Sequence, residues 1–370
     1  MNINALGFQE QVIYRLKSLF ETYGYSQYKM NKFEEYDLYA RNKDFLLSDS
    51  VITFTDFGGK LMALKPDVTL SIVKNSRDDG SAQQKLYYNE HVYRVGPGGH
   101  SFREMTQIGL ELLGDVDDVC ILEVLTLAAR SLKSISDTCV LDVSHLGLLS
   151  LALTAAGVPE NRQDMAMKRI AEKNFHELKA YCQDCGVEEQ KTTQLIRLLS
   201  TSGSPLQVLS QIRDLLPETE TADRLTAVFH ALEDSGLEDV FRFDFSAVDD
   251  IRYYNGVVFK GFVPGVPTSV LSGGQYDNLM RKMRRNSHAI GFAVYIDRLE
   301  RLEPAPREYD VDTVLLYDPA VPVAEVMRCA AKLREEGATV MVQRQKPETV
   351  QYRQLIRLVG SEVEILENNA

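Results

Sequence analysis

Residues 86–113 read LYYNEHVYRVGPGGHSFREMTQIGLELL, and this stretch decides the fold prediction. Two runs of alternating side chains flank the glycine-rich segment 96–99, which is the pattern of two strands joined by a loop. Because strand side chains alternate, Arg103, Gln107 and Glu111 share one face of the second strand. Such a face could bind a cationic ligand rich in hydrogen-bond donors, or it could be a solvated sheet face with paired charges.

The segments around this hairpin predict a mostly antiparallel α+β domain with a helical insertion. The insertion covers about residues 146–236, where helical patterns are separated by glycine and proline. Helices are predicted at 5–23 and 118–134. The remaining strands are predicted at 51–55, 61–64, 139–143, 240–245, 257–262, 270–271 and 290–295.

The C-terminal segment predicts a separate small α/β unit. The core is assigned to residues 1–303, a Pro-Ala-Pro linker lies within 304–309, and the small unit covers 310–370. Within the small unit we expect strands at 311–317, 339–342 and 363–366. Helices are expected at 322–336 and 348–358.

Length and charge exclude several classes of protein. The chain has 370 residues, enough for two or three domains, and its net charge of −12 argues against a protein that mainly grips nucleic acid. No apolar run is long enough to span a membrane, and the N-terminus lacks a signal-peptide pattern. Five cysteines fit reduced thiols, so a cytoplasmic location is expected.

Metal and cofactor motifs are missing from the sequence. Cys182 and Cys185 have CxxC spacing, but no second pair or spaced histidines accompany them, so two ordinary thiols are expected. The basic cluster 281–285 either faces an anionic partner or is a solvated helix end. No phosphate-binding or dinucleotide-binding glycine motif occurs.

Five motifs in this order resemble the catalytic core of class II histidyl-tRNA synthetases. More closely, they resemble the catalytically inactive paralogues of these enzymes, the regulatory subunits of ATP phosphoribosyltransferase. The resemblance covers nearly residues 1–303 and implies the class II synthetase fold. It rests on Pro66-x-x-Thr69, Arg94 with Arg103-Glu104-x-x-Gln107-x-Gly109-x-Glu111, Tyr253-Tyr254, Gly273-Gly274-x-Tyr276-Asp277, and Gly291-Phe292-Ala293 with Asp297-Arg298.

The resemblance implies a histidine pocket. Position 67, a glutamate in the synthetases, is here an aspartate one methylene shorter. The histidine-binding residues implied by the family are Asp67, Thr69, Arg94, Gln107, Glu111, Tyr253 and Tyr254. Arg103 and Arg298 are implied as possible anion-binding residues.

Positions that handle ATP in the synthetases are substituted in this chain. The family's Arg-Gly-Leu-Asp-Tyr-Tyr motif corresponds to residues 249–254, and its catalytic arginine is Asp249. A carboxylate there would repel the anionic groups that an arginine stabilises. Gly96, Ser101 and Gln275 also replace charged residues of the family, and the motif-1 proline near residues 30–33 is absent. The resemblance therefore implies no catalytic residues and no cofactor.

Three functions are compatible with these sequence features. The first is a regulatory subunit that activates a short-form ATP phosphoribosyltransferase catalytic subunit and mediates feedback inhibition by L-histidine. This reading implies a homodimer within a hetero-oligomer, and it makes tRNA an unexpected partner. The second is a divergent histidyl-tRNA synthetase. The third is a synthetase-like RNA-binding or interaction protein. The C-terminal unit resembles a shortened anticodon-binding domain.

Overall fold

The chain divides into two compact units, Met1–Glu303 and Pro304–Ala370. The computed structural model describes residues 6–43, 46, 51–76, 83–96, 101–216, 219–248, 253–302, 308–360 and 362–369. Within these ranges the first unit contains a nine-stranded and a three-stranded sheet, and the second contains a four-stranded sheet. In the described part of the chain, no helix is both long and apolar enough to cross a membrane.

The elements of the first unit follow the predicted order. Its helices are α1 (Phe8–Thr22), α2 (Tyr36–Arg41), α3 (Thr69–Asn75), α4 (Asp118–Ile135), α5 (Leu146–Ala156), α6 (Gln163–Ala171), α7 (Phe175–Asp184), α8 (Glu189–Leu199), α9 (Pro205–Ile212), α10 (Glu220–Glu233) and α11 (Asp277–Lys282). Its strands are β1 (Ser26–Gln27), β2 (Phe33–Glu35), β3 (Thr53–Thr55), β4 (Leu61–Leu64), β5 (Gln84–Val95), β6 (Phe102–Gly114), β7 (Val140–His145), β8 (Ser202–Gly203), β9 (Phe241–Asp244), β10 (Val257–Phe262), β11 (Leu271–Gln275) and β12 (His288–Tyr295). Short 3-10 helices cover Glu160–Arg162, Glu238–Val240 and Ile296–Leu302.

The large sheet is mostly antiparallel, with strand order β1-β5-β6-β12-β11-β10-β7-β9-β8. Strands β5 and β6 pair as predicted, with Arg94 opposite Arg103. The alternation along β6 gives the sheet two different faces. Ile108, Leu110 and Leu112 are fully buried in the main hydrophobic core, which also contains buried side chains of α1 and α4. The intervening residues therefore lie on the opposite face, which carries the candidate site.

The helical insertion forms as predicted from α5 to α10, and its apolar residues join the same core. Helix α5 ends at Gly157, whose φ of 103° is the left-handed geometry that favours glycine after a helix. The short strand β8 pairs with β9 at the sheet edge and was not anticipated. The predicted α+β class is confirmed by this arrangement.

The second unit contains β13 (Val311–Tyr317), α12 (Val323–Glu335), β14 (Val340–Gln343), β15 (Tyr352–Val359) and β16 (Glu362–Asn368), in the sheet order β14-β13-β15-β16. The helix predicted at 348–358 is wrong, because most of this segment is strand β15. This strand lies between β13 and β16, and its buried residues are Tyr352, Leu355, Ile356 and Leu358. Leu355 packs in one cluster, and Ile356 packs in another that contains residues of α12. The adjacent buried residues Leu355 and Ile356 interrupt the two-residue alternation, and their spacing from Tyr352 mimics that of a helix.

Candidate functional site

A cavity of about 260 Å³ lies on the polar face of the nine-stranded sheet. Its walls include Asp67 and Thr69 of the segment 65–69, which leads into α3 and is called the 65–69 turn below. Residues of β5, β6, β10, β11 and β12 and residues 253–254 also line it. All seven residues predicted to bind histidine line it, namely Asp67, Thr69, Arg94, Gln107, Glu111, Tyr253 and Tyr254. Arg298 lines it as well. Arg103 is solvent-exposed and is absent from the lining.

Glycines on the central strands leave room for the cavity. Gly291 lies directly opposite Glu111, and a β-carbon there would come within 1.8 Å of Glu111 Oε2. A β-carbon on Gly109 would approach the Phe292 carbonyl oxygen to 2.2 Å and the Tyr88 hydroxyl to 2.6 Å. Contacts this short are impossible for real side chains. The absence of a side chain at these two positions therefore allows the polar groups to converge.

Glu111 is the most buried acid of the site, with 2% of its surface exposed. Thr69 Oγ1 donates to Glu111 Oε1 at 2.7 Å, and the Tyr276 hydroxyl donates to Oε2 at 2.6 Å. Desolvation outweighs these two bonds and raises the pKa of Glu111 to about 8, and nearby Asp67 contributes in the same direction. Glu111 therefore carries a proton near neutral pH until a cationic group enters the cavity.

Asp67 provides a second carboxylate in the same cavity. Its Oδ1 accepts from the Leu70 backbone N–H at 2.8 Å, which fixes the carboxyl group at the start of α3. Desolvation raises the pKa of Asp67, while the Leu70 N–H and the Arg94 guanidinium oppose that rise. Arg94 Nε also donates to the Pro66 carbonyl oxygen at 3.3 Å. The bond between Arg94 and Pro66 joins the 65–69 turn to strand β5.

Tyrosine rings form the apolar part of the cavity. Tyr253 packs edge-on against Tyr254 with ring centroids 4.8 Å apart, and its centroid lies 5.8 Å from that of Tyr276. Burial raises the pKa of Tyr253, Tyr276 and Tyr88 well above the ordinary value, so all three phenols stay protonated. The rings can pack against a planar side chain, while a neutral hydroxyl can still donate a hydrogen bond.

Tyr88 and Tyr276 line the cavity but were not assigned to the site from the sequence. A signal existed for both. Tyr88 lies six residues before Arg94 on β5, so the alternation of strand side chains places both on one face. Tyr276 belongs to the Gly-Gly-x-Tyr-Asp motif, which is one of the five motifs shared with the synthetase family.

Arg298 is a second cationic side chain in the cavity lining, in addition to Arg94. Arg298 donates to the Ser269 carbonyl oxygen and, at 3.3 Å, to the Ser269 hydroxyl. Its guanidinium also lies 4.1 Å from the centre of the Tyr295 ring. These contacts fix the orientation of the arginine. The cavity therefore combines acidic groups and fixed cations, which suits a zwitterionic ligand.

Several residues from the sequence interpretation do not line the cavity or lie outside the described residues. Asp249 and the rest of 249–252 lie outside the described residues, as does loop segment 97–100. Gln275 is described, and its Oε1 accepts from the Val257 backbone N–H at 2.8 Å. That bond joins its side chain to a neighbouring strand instead of the cavity.

The remaining sequence features show no metal chemistry in the described ranges. No group of three histidine, cysteine or acidic side chains is placed to hold a metal ion in the part of the chain that the structure describes. Cys182 is a buried free thiol, and Cys185 is a partly exposed one at the end of α7. In the basic cluster Arg285 donates to the Lys74 carbonyl oxygen at 2.7 Å, so part of its binding capacity is already used.

The family model for histidyl-tRNA synthetase matches residues 5–299. The chain belongs to the histidyl-tRNA synthetase family. A curated relative from Oceanobacillus iheyensis, named ATP phosphoribosyltransferase regulatory subunit, is 26% identical over 90% of this chain and 84% of its own length. A histidine–tRNA ligase from Methanocaldococcus jannaschii is 28% identical over 77% of this chain and 69% of its own length.

A solved structure has a similar fold over nearly the whole chain. It is described as an ATP phosphoribosyltransferase regulatory subunit/histidyl-tRNA synthetase from Bacillus halodurans, with a TM-score of 0.78 and 25% identity. The alignment covers 96% of this chain and 95% of that chain. The class II synthetase-like fold expected from the motifs is thereby confirmed. Membership of the histidyl-tRNA synthetase family leaves open whether this chain catalyses aminoacylation or regulates another enzyme.

Proposed function

We propose that this chain is a non-catalytic regulatory subunit that binds histidine and associates with a short-form ATP phosphoribosyltransferase catalytic subunit. The observation that carries the proposal is the cavity around Glu111, where two carboxylates, a threonine hydroxyl and several tyrosines converge. Curated relatives named as regulatory subunits, such as the one that spans 90% of this chain, support the regulatory role.

The charges of the cavity match those of an amino acid. Asp67 and Glu111 are placed for cationic or N–H donor groups, and Arg94 is placed for a carboxylate. An imidazole would fit between tyrosine rings and a buried acid, because it is planar and donates through nitrogen. Gln107, 4% exposed and on the same face as Glu111, would supply a further amide contact.

The sequence supports a loss of synthetase chemistry. Adenylate formation needs cations where negative charge develops, and Asp249 supplies the opposite charge where the family has an arginine. Gly96, Ser101 and Gln275 replace further charged residues of the family. The Gln275 side chain is instead bonded to the backbone of β10. Retained amino-acid contacts and lost ATP contacts are what a histidine sensor requires.

Regulation requires histidine to bind two states of the complex with different affinities. The direct test mixes the purified chain with a short-form catalytic subunit and measures phosphoribosyl-ATP formation with and without histidine. We expect activity only in the mixture and inhibition of that activity by histidine. Failure of the mixture to gain activity would remove the regulatory function. Activation without inhibition would remove only the role in feedback.

A second candidate function is a divergent histidyl-tRNA synthetase, favoured by the similarity to the ligase from Methanocaldococcus jannaschii. It predicts histidine-dependent exchange of pyrophosphate into ATP. We expect no exchange from folded protein that binds histidine. Exchange above background would establish the enzyme and overturn the non-catalytic proposal.

We also propose that the chain pairs as a homodimer within the hetero-oligomer. Light scattering on the isolated chain should then give twice the protomer mass of 41.7 kDa. A further increase in mass is expected when the catalytic subunit is added. A monomeric mass at micromolar concentration would contradict the homodimer.

A further inference from the structure

A buried ion pair lies next to the turn that carries Asp67 and Thr69. Lys65 is fully buried, and its Nζ contacts the Glu90 carboxylate on strand β5. The Glu90 side chain is 16% exposed, and its other oxygen accepts from the Met30 backbone N–H at 3.4 Å. Neither Lys65 nor Glu90 lines the cavity described above.

The pair adds a third attachment between the 65–69 turn and β5. The Tyr93 backbone N–H donates to the Lys65 carbonyl oxygen at 2.9 Å. The Arg94 guanidinium donates to the next carbonyl oxygen, that of Pro66. The two backbone attachments fix the position of the turn at residues 65 and 66. The ammonium–carboxylate contact also fixes the orientation of the turn, because the Lys65 side chain must point inward to reach Glu90.

The residues that follow this anchor carry binding groups. Asp67 Oδ1 accepts from Leu70 N–H, and Thr69 Oγ1 donates to Glu111 at 2.7 Å. A shift of the turn along β5 would therefore change the distance between Thr69 and Glu111 directly. Binding sites are sensitive to displacements of this kind, since their groups must be held within a fraction of an ångström.

Stability alone is a weak explanation for a buried ion pair. Desolvating two charges offsets most of their attraction, and apolar replacements of both partners are often neutral or stabilising. Breaking only one partner is costly, because it leaves an uncompensated buried charge. A buried pair beside a binding turn therefore suggests that its value lies in fixing geometry.

We infer that Lys65, acting through Glu90, is a positioning residue that holds Asp67 and Thr69 against Glu111 in the arrangement that binds the amino acid. The inference rests on the proposed histidine site. It assigns to Lys65 a role in affinity that acts through other residues, since Lys65 itself does not reach the cavity.

The experiment replaces both charges together, so that no buried charge is left alone. Histidine affinity is measured by calorimetry on the full chain for wild type, the double variant Lys65→Met with Glu90→Leu, and Lys65→Arg. We expect the double variant to melt near the wild-type temperature and to bind histidine about tenfold more weakly, within the range of coupling between contacting residues. Lys65→Arg keeps a positive charge beside Glu90 and should bind histidine more tightly than the double variant does.

A matched control is the Lys85–Glu123 pair, which also starts from β5 and has an Nζ–Oε2 distance of 2.7 Å. Neither residue lines the cavity. Lys85→Met with Glu123→Leu should leave histidine affinity within about twofold of wild type, as expected for sites without shared partners. A second readout adds Asp67→Asn. If Lys65 acts through the turn, the two effects on affinity are non-additive, whereas a general loss of stability gives additive effects.

The outcomes separate the two proposals. Wild-type affinity in the Lys65/Glu90 double variant overturns the inference and leaves the histidine site intact. The inference is also overturned if the control pair weakens histidine binding equally. It is overturned as well if Lys65→Arg binds histidine no more tightly than the double variant does. Wild-type protein that binds no histidine overturns the proposed function and this inference together.

Discussion

The raised pKa of Glu111 predicts that this one residue makes the core unit less stable as pH rises. An acid with a higher pKa in the folded state retains a proton that the unfolded state has already released. Its contribution to the free energy of unfolding is therefore complete below the unfolded value of 4.5 and is lost as pH rises to about 8. The substitution Glu111→Gln replaces the titrating carboxyl group with a neutral amide of similar shape.

The magnitude follows from the pKa and the size of the unit. Between pH 5 and pH 8 wild type should lose about 3.5 kcal/mol relative to Glu111→Gln, with a slope of at most about 1.4 kcal/mol per pH unit. Unfolding entropy of about 2 cal/mol/K per residue, over a unit of about 300 residues, converts this into about 6 °C. The glutamine can retain both bonds, because its amide donates to one hydroxyl oxygen and accepts from the other hydroxyl.

The assay is scanning calorimetry of both proteins at half-unit steps from pH 5 to pH 8.5, without histidine. The measured quantity is the difference in melting temperature between variant and wild type, which should rise with pH and level off above pH 8. Asp67 contributes to the slope of both proteins, so the difference largely isolates Glu111. Glu172→Gln, at an exposed carboxylate after α6, is the control for removing one acidic group from the surface. A flat difference for Glu111→Gln would mean that Glu111 is ionised in the empty site and would refute the reasoning.

Three further outcomes test the site. Histidine binding at pH 7 should release a proton from Glu111 to the solvent, measured by calorimetry in two buffers of different ionisation enthalpy, and Glu111→Gln should lose that release. Gly291→Ala should abolish histidine binding and lower stability by about 1–3 kcal/mol, because its β-carbon would overlap Glu111 Oε2 and the Leu110 carbonyl; unchanged affinity in a titration would contradict the position of the cavity. Tyr276→Phe removes the 2.6 Å bond to Glu111 and should weaken histidine binding by roughly tenfold, with melting temperature as the control for folding.

The sequence grouped most of the residues that line the cavity, but it did not predict every strand of the fold. Strand alternation placed Gln107 and Glu111 on one face, and the structure brings both into the cavity. The same alternation applied to β5 would have found Tyr88. Arg103 lies on the predicted face of β6, but it lies near the exposed end of the strand, beyond the cavity. The two-residue alternation predicts which face of a strand a residue lies on. How far the cavity extends along that strand depends on the neighbouring elements that cover it.

Strand β15 shows where local patterns fail. Tyr352, Leu355 and Ile356 have the three- and four-residue spacing of a helix, yet they belong to a strand paired with β13 and β16. Pairing with β13, some 40 residues earlier in the chain, overrides the local preference. Strand β8 was missed for a related reason, since two residues carry no periodicity. Both features depend on contacts distant in sequence.

The cavity residues of β6 are held in place by the apolar residues on the opposite face of the same strand. Gln107 and Glu111 alternate along β6 with Ile108, Leu110 and Leu112, which are fully buried in the core. Packing of the core therefore fixes these two cavity-lining residues, and any slip in register would expose the apolar set. In the sequence, Asp249 falls between β9 and β10, and Gly96 and Ser101 fall between β5 and β6, whereas Gln275 is the last residue of β11. Substitutions in connections change chemistry without disturbing core register. Under the proposed function, such substitutions would remove the ATP chemistry of a synthetase-like core while the core packing keeps its cavity in place.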